Sequence, residues 1–300
     1  MDGSDANTNG GSELIKRMER IERKLDEIRQ LIGPFGAAFP NNEILVQTLF
    51  ENKYFVDAND LVMTPQLVVY RQWEAELSRF FVALASIDTV FVDIGANFGY
   101  FTCLVGSRIS ANGGGRVIAV EPNPKMFELL SKNIQINWSM CPVETHHCAI
   151  TQDGQSIDLV IPVGGAANAH IHTGAEIAPN AAFRLSHVRG NTVDRIICGR
   201  RVTLMKIDVE GYELHVLQGA RETIRNNPDI CIVMEWSMPQ MWSAKIDPQS
   251  VVQLLDELGL APYRLPQDAN IWGDAFASGR FTPDALMATP YDNIVVRRPL

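Results

Sequence analysis

The chain is short of positive charge. Its 300 residues carry 26 lysines and arginines against 35 aspartates and glutamates, a net charge of −9. No arginine-rich or lysine-rich block interrupts that balance, so nucleic acid is not an expected partner. Cysteine is scarce too. The five residues, at 103, 141, 148, 198 and 231, show neither metal-ligand spacing nor a paired framework. Free thiols in a reducing compartment are the expected state. No apolar run is long enough to cross a bilayer, and the first eleven residues hold neither a basic nor an apolar stretch. The expectation is a cytoplasmic protein without a membrane span. Its length suits one large domain with appendages and an ample core.

Glycine is missing where a dinucleotide site needs it. Val90-Phe-Val-Asp-Ile-Gly-Ala-Asn-Phe-Gly-Tyr100 reads as a short buried strand, a tight turn between Gly95 and Gly99, then a helix. A pyrophosphate cradle would want glycine at 97 and 100, where Asn and Tyr stand. A nicotinamide oxidoreductase is disfavoured on that ground. The turn still admits a ligand close to the backbone. Asp93, at the carboxyl end of its strand, suits a cationic amine. Glu121, ending the next strand, can accept from two ribose hydroxyls. Either acid alone would be a capping residue; with the Gly95/Gly99 turn the set suits S-adenosylmethionine.

Residues 1–11 read as a disordered tail. In 12–33, Leu14, Met18, Ile21, Leu25, Ile28 and Ile32 step by 4, 3, 4, 3 and 4, a heptad seam flanked by Glu13–Arg17 and Glu19–Arg23. So strict a stripe fits pairing between subunits better than docking on its own domain, and a homo-oligomer is expected. Residues 34–88 read as a helical cap and lead-in. It has a helix over Ile44–Phe50, a strand-like Tyr54–Met63 and a helix over Gln72–Ala85, with Glu74 as a solvated acid. From 89 to 300 strands and helices alternate, the mark of a doubly wound, mostly parallel α/β sheet. Strands are expected at 90–94, 116–121, 143–150, 202–207, 230–235, 261–265 and 294–297, the last two as an antiparallel edge pair. The irregular segments 164–190 and 266–290 read as binding loops. His170 and His172 lack a third partner, so no metal is expected.

A second cluster sits at the end of the fourth strand: Met205-Lys-Ile-Asp-Val-Glu-Gly-Tyr-Glu213. Asp208 is the first choice as proton acceptor, and it also could hold the methionine amine. Glu210 joins it on the same wall, or else complements the following helix dipole. Lys206 either steers the acceptor hydroxyl or points to solvent. Glu235, ending the fifth strand, is a third acid on the rim, and a buried strand-end acid is costly unless paired or functional.

Phe91-Val-Asp-Ile-Gly-Ala-Asn-Phe-Gly-Tyr-Phe-Thr102, Val120-Glu-Pro-Asn123, Asn191-Thr-Val-Asp194 and Lys206-Ile-Asp-Val-Glu-Gly-Tyr-Glu213 with Leu217-Gln-Gly-Ala220 resemble the motif series of FkbM-type methyltransferases. The resemblance runs from about Trp73 to Glu235. It implies a class I, Rossmann-like, seven-stranded methyltransferase using S-adenosylmethionine, with hydroxyls of glycans or secondary metabolites as acceptors. It puts Asp93, Gly95, Asn97, Gly99, Glu121 and Asn123 on cofactor positions, and Cys148-Ala149 at the adenine edge. The reading is an O-methyltransferase acting on a sugar hydroxyl of a glycan or glycosylated metabolite. The alternatives are O-methylation of a polyketide or peptide, or a non-catalytic assembly factor with a degenerate cofactor domain. The intact acids at 93, 121, 208 and 210 argue against degeneration.

Overall fold

The computed structural model describes residues 16–25, 36–162, 169–171, 183–266 and 279–299. Seven strands form its central sheet: β1 (Val90–Ile94), β2 (Arg116–Val120), β3 (Val143–His146), β4 (Leu204–Ile207), β5 (Cys231–Ser237), β6 (Ala261–Arg264) and β7 (Tyr291–Arg297). Their order is β6-β7-β5-β4-β1-β2-β3. β1 to β5 run parallel, and β7 lies antiparallel to both β5 and β6. Phe91, Val92, Val117, Ile118, Met205 and Ile232 are sealed from solvent, as strands covered on both faces require. Trp236 is also fully buried, and its indole N–H donates to the Thr289 carbonyl at 2.8 Å.

The strand order reverses between β1 and β4, which opens a crevice at their carboxyl ends. Ile94 pairs with Ile207 in the register, so the two strand ends are flush. Gly95 follows at φ +78°; a Cβ there would lie 1.8 Å from the Asp208 carbonyl oxygen. Only glycine lets the two strand ends touch.

The lead-in departs from the helical expectation. Gly36–Phe39, Glu43–Gln47 and Lys53–Asp57 form an antiparallel three-stranded sheet. Ile44–Phe50 is therefore not a helix. The first hairpin closes over Pro40-Asn41-Asn42, with the asparagines at φ 69° and 58°, a left-handed turn that asparagine tolerates. Two helices follow, α1 (Met63–Tyr70) and α2 (Ala75–Leu84). In the main domain come α3 (Tyr100–Ala111) and α4 (Pro124–Ile136). Asn133 on α4 and Asn137 at its C-cap hydrogen-bond the backbone of Phe55 and Lys53, and Lys125 and Lys132 pair with Asp57 and Glu43. The small sheet is thus fastened to the main domain.

Three further elements differ. The expected strand 143–150 is split, because Ala149–Ile150 leaves the sheet and pairs with Gly190–Asn191. The segment 164–190 contains a strand, Phe183–Val188, paired with Ile157–Pro162. A short helix, Pro283–Met287, lies within 266–290. Residues 16–25 are helical, and Met18, Ile21 and Leu25 are each more than half exposed. The tail, the remainder of the heptad segment and His172 lie outside the described residues.

Candidate active site

A cavity of about 640 Å³ opens over the carboxyl ends of β1, β2, β4 and β5. Its wall carries five carboxylates, Glu74, Glu121, Asp208, Glu210 and Glu235, and one ammonium, Lys206.

Glu121 ends β2 and is nearly buried. One oxygen accepts from the Asn97 amide at 2.7 Å and the other from the Asn123 amide at 2.8 Å. Burial nevertheless pushes its pKa up to about 7. Each oxygen keeps a further lone pair for a ligand hydroxyl. Gly95, Ala96 and Asn97 form the adjoining turn, and Cys148, Ala149 and Ile150 an apolar edge.

Asp93, Gly99 and Asn123, also in the expected cofactor set, stand behind the cavity wall rather than on it. Asp93 is sealed below it: one oxygen accepts from Thr102 Oγ1 at 2.6 Å, and the other has no hydrogen-bond partner. Gly99 at φ +90° starts α3. Asn123 caps α4 by accepting from the Lys125 amide at 3.1 Å.

Lys206 points inward, not to solvent. It is 4% exposed, its ammonium lies 2.7 Å from Asp208 Oδ2, and it sits over the Phe101 ring at 5.0 Å. Burial works against its charge, but Asp208, Asp93 and Glu74 outweigh that and hold its pKa above the ordinary value. Glu210 stands two residues past Asp208 at φ 55°, and Gln240 donates to its carboxylate. Burial, then the Asp208 charge, pushes Glu210 up to about 7. Burial, then Asp208 and Glu210, pushes Glu235 to about 9, and Glu235 Oε2 is buried without a partner.

Glu74, expected as a solvated acid, stands in the cavity wall, and so does Tyr291, which the sequence did not mark. Tyr54 donates to the Tyr100 carbonyl at 2.9 Å, and the Tyr100 hydroxyl accepts from the Trp73 amide at 3.1 Å. That chain of contacts sets Trp73 and Glu74 in the cavity wall. Glu74 has φ 41°. Asn97 (φ 54°), Glu74 and Glu210 are thus three non-glycine residues in the left-handed region around one cavity. Such conformations cost of order 1–3 kcal/mol each and gather at functional sites. Tyr291, on β7, lines the same cavity as Glu235. His215 stacks on Tyr212 with centroids 3.9 Å apart and is a packed side chain. Among the described residues, no group of three or more His, Cys, Asp or Glu is arranged to hold a metal ion. No helix there is long and apolar enough to cross a membrane.

The strand order, with acids at the ends of β2, β4 and β5 around one crevice, defines a class I methyltransferase fold. The methyltransferase FkbM domain matches residues 93–261, and the chain belongs to that family. It is a methyltransferase. It is 24% identical over 197 residues to the hexuronic acid methyltransferase AglP of Haloferax volcanii, covering 63% of this chain and 70% of that one. It is 25% identical over 153 residues to Methyltransferase 1 of Beauveria bassiana, covering 44% of this chain and 58% of that one. Among solved structures it is similar to M. jannaschii TYW2 in complex with AdoMet, at 13% identity and TM-score 0.42, covering 87% and 86% of the two chains.

Proposed function

We propose that this chain transfers a methyl group from S-adenosylmethionine to a sugar hydroxyl, with Glu210 accepting the hydroxyl proton. The cofactor supplies an electrophilic methyl group beside a positive charge. Its fit rests on Glu121, which has lone pairs left for ribose hydroxyls, and on the bare backbone at Gly95. Asn97 borders the same turn, and Cys148 and Ala149 offer an edge for the adenine. The five wall carboxylates complement a cation.

The same carboxylates favour a hydroxyl as acceptor. A hydroxyl donates to them and must lose a proton; a carboxylate acceptor would be repelled and needs no base. The Haloferax relative, named for a hexuronic acid, supports a sugar.

Glu210 takes the base role from Asp208, the first choice on sequence. Asp208 is committed to the Lys206 ammonium. Glu210, at about 7, is balanced where a general base works best at neutral pH. Glu235, at about 9, keeps its proton there and can donate to the acceptor. The observation that carries this reading is Glu210 itself: a half-buried carboxyl on left-handed backbone in the cavity wall.

The test supplies methyl-tritiated cofactor with a panel of sugar glycosides. Alkali-stable label in the sugar marks an ether, alkali-labile label an ester. Glu210→Gln should lower turnover at saturation by about 10²–10⁴. It should also remove the pH dependence near 7. Full turnover at saturation in that variant would remove Glu210 from the role.

A further inference from the structure

A second groove, of about 450 Å³, adjoins the cavity. The two share Glu74 and Tyr291 in their walls. The groove continues along α2 through Ala75 and Glu76 and along the sheet edge through Arg264, Asp292 and Asn293.

The junction is built rather than incidental. Glu74 is held at φ 41°, with Oε1 accepting from Asn293 Nδ2 at 3.1 Å and Oε2 buried without a partner. Tyr291 lines the reaction cavity together with Glu235 while the residue stays 54% exposed. In the register, Asn293 pairs with Glu235 and Tyr291 with Ser237. One edge of β7 therefore serves both spaces. Arg264 lies 3.7 Å from Asp292 and 4.3 Å over the Phe281 ring, and it remains 61% exposed.

The groove's chemistry is that of a polyol. Glu74, Glu76 and Asp292 accept from hydroxyls, Asn293 accepts or donates, and Arg264 donates. The half-exposed Tyr291 ring offers a flat apolar face with a polar tip. A sugar ring presents this combination: hydroxyls around its rim and C–H groups on its faces.

We infer that the groove holds a second sugar unit of the acceptor, so that the enzyme acts on a glycan of two or more units. This rests on the sugar hydroxyl reading above. Glu74 and Tyr291 would then sit at the linkage between the unit being methylated and its neighbour.

The experiment compares p-nitrophenyl glycosides of neutral hexoses, 6-deoxyhexoses and hexuronic acids, each as monosaccharide and as matched disaccharide. The disaccharide is expected to show kcat/KM about tenfold or more above the monosaccharide, the worth of one or two added hydrogen bonds. Ala75→Trp, which fills the groove, should bring that ratio close to one, chiefly through KM. Arg264→Ala, at an exposed position, should lower the ratio in the same direction without a risk to folding. Monosaccharide turnover with no disaccharide preference overturns the groove assignment alone. A native preference that survives both variants places the second unit elsewhere and overturns it as well. Intact cofactor binding with no sugar of either length methylated overturns the sugar reading and this inference together.

Discussion

Lys206→Met is the sharpest test of how the cavity holds its charge. Lys206 is 4% exposed and 2.7 Å from Asp208. The charges of Asp208, Asp93 and Glu74 act on it together. Methionine keeps the length and packs on Phe101, so the variant removes the charge and little else. Breaking a fully buried pair by deleting one partner costs about 3–5 kcal/mol, because the other charge is left uncompensated. Asp208 is 34% exposed, so the expected loss at pH 8 is smaller, about 2–3 kcal/mol. Asp93 and Glu74 already have pKa values above the ordinary carboxylate range, through burial. Without Lys206 they rise further. Their protonation relieves the uncompensated charge, so the loss should shrink as pH falls from 8 to 5. Adding Asp208→Asn to Lys206→Met should restore about 1–3 kcal/mol, the coupling expected of a contacting pair. Urea unfolding followed by the fluorescence of the five tryptophans, buried Trp236 among them, reads all of this. A single variant within about 1 kcal/mol of the native protein, or an equal loss at both pH values, would refute the view that this ammonium holds the acids in place.

Glu121→Gln should weaken cofactor binding about tenfold or more, read by calorimetry. It should also destabilise the fold by about 1–3 kcal/mol, since one amide N–H now lacks an acceptor; native affinity would remove the ribose role. Glu121 and Glu210 have folded pKa values raised from 4.5 to about 7. The stability they contribute is complete below their ordinary value and is lost as pH rises through 7. The ligand-free thermal midpoint should thus fall less between pH 6 and 8 in Glu210→Gln than in the native protein, and an equal fall would contradict the shift. Cofactor binding near pH 7 should release more protons than binding of its demethylated, uncharged-sulfur product, measured as a buffer-dependent calorimetric heat; equal release would detach the acids from the cation. Removing residues 1–33 should lower the mass by light scattering, as expected if exposed Met18, Ile21 and Leu25 pair between subunits. An unchanged mass would show that they do not.

The main domain was legible because its signals are local. Val90–Ile94 and Arg116–Val120 are apolar runs bounded by turn residues, and each ends in the residue that shapes the crevice: Gly95 after one, Glu121 after the other. Asp208, Glu210 and Glu235 followed by the same logic. The direction of Asp93 was not legible, because a strand-end acid can face either the crevice or the layer below it, and period-two alternation does not say which. Its orientation is set by Thr102 on α3 and Lys206 on β4. The lead-in sheet was misread because Ile44-Leu45-Val46 is an apolar run too short to separate helix from strand, and the decisive turn is two asparagines rather than a glycine. Glu74 was beyond reach. Nothing near it in sequence marks a site; the Tyr54–Tyr100–Trp73 contacts that turn it inward join segments far apart in the chain.

The acids of the cavity make sense as a set rather than singly. Five carboxylates face one ammonium, and burial is the leading cause of the raised pKa of Glu74, Glu121, Glu210 and Glu235. Such a wall resists full ionisation when empty, and a cation placed among these groups favours their charged forms. Glu210 would then give up its proton as the cation arrives and stand ready as a base. When the positive charge beside it is gone, Glu210 regains its affinity for a proton and keeps the one taken from the acceptor. A carboxylate at its ordinary pKa would hold that proton poorly. Glu235, at about 9, would hold its own too firmly to accept one at neutral pH. Glu210, at about 7, lies between, where a nearby charge of either presence or absence is enough to reverse its state.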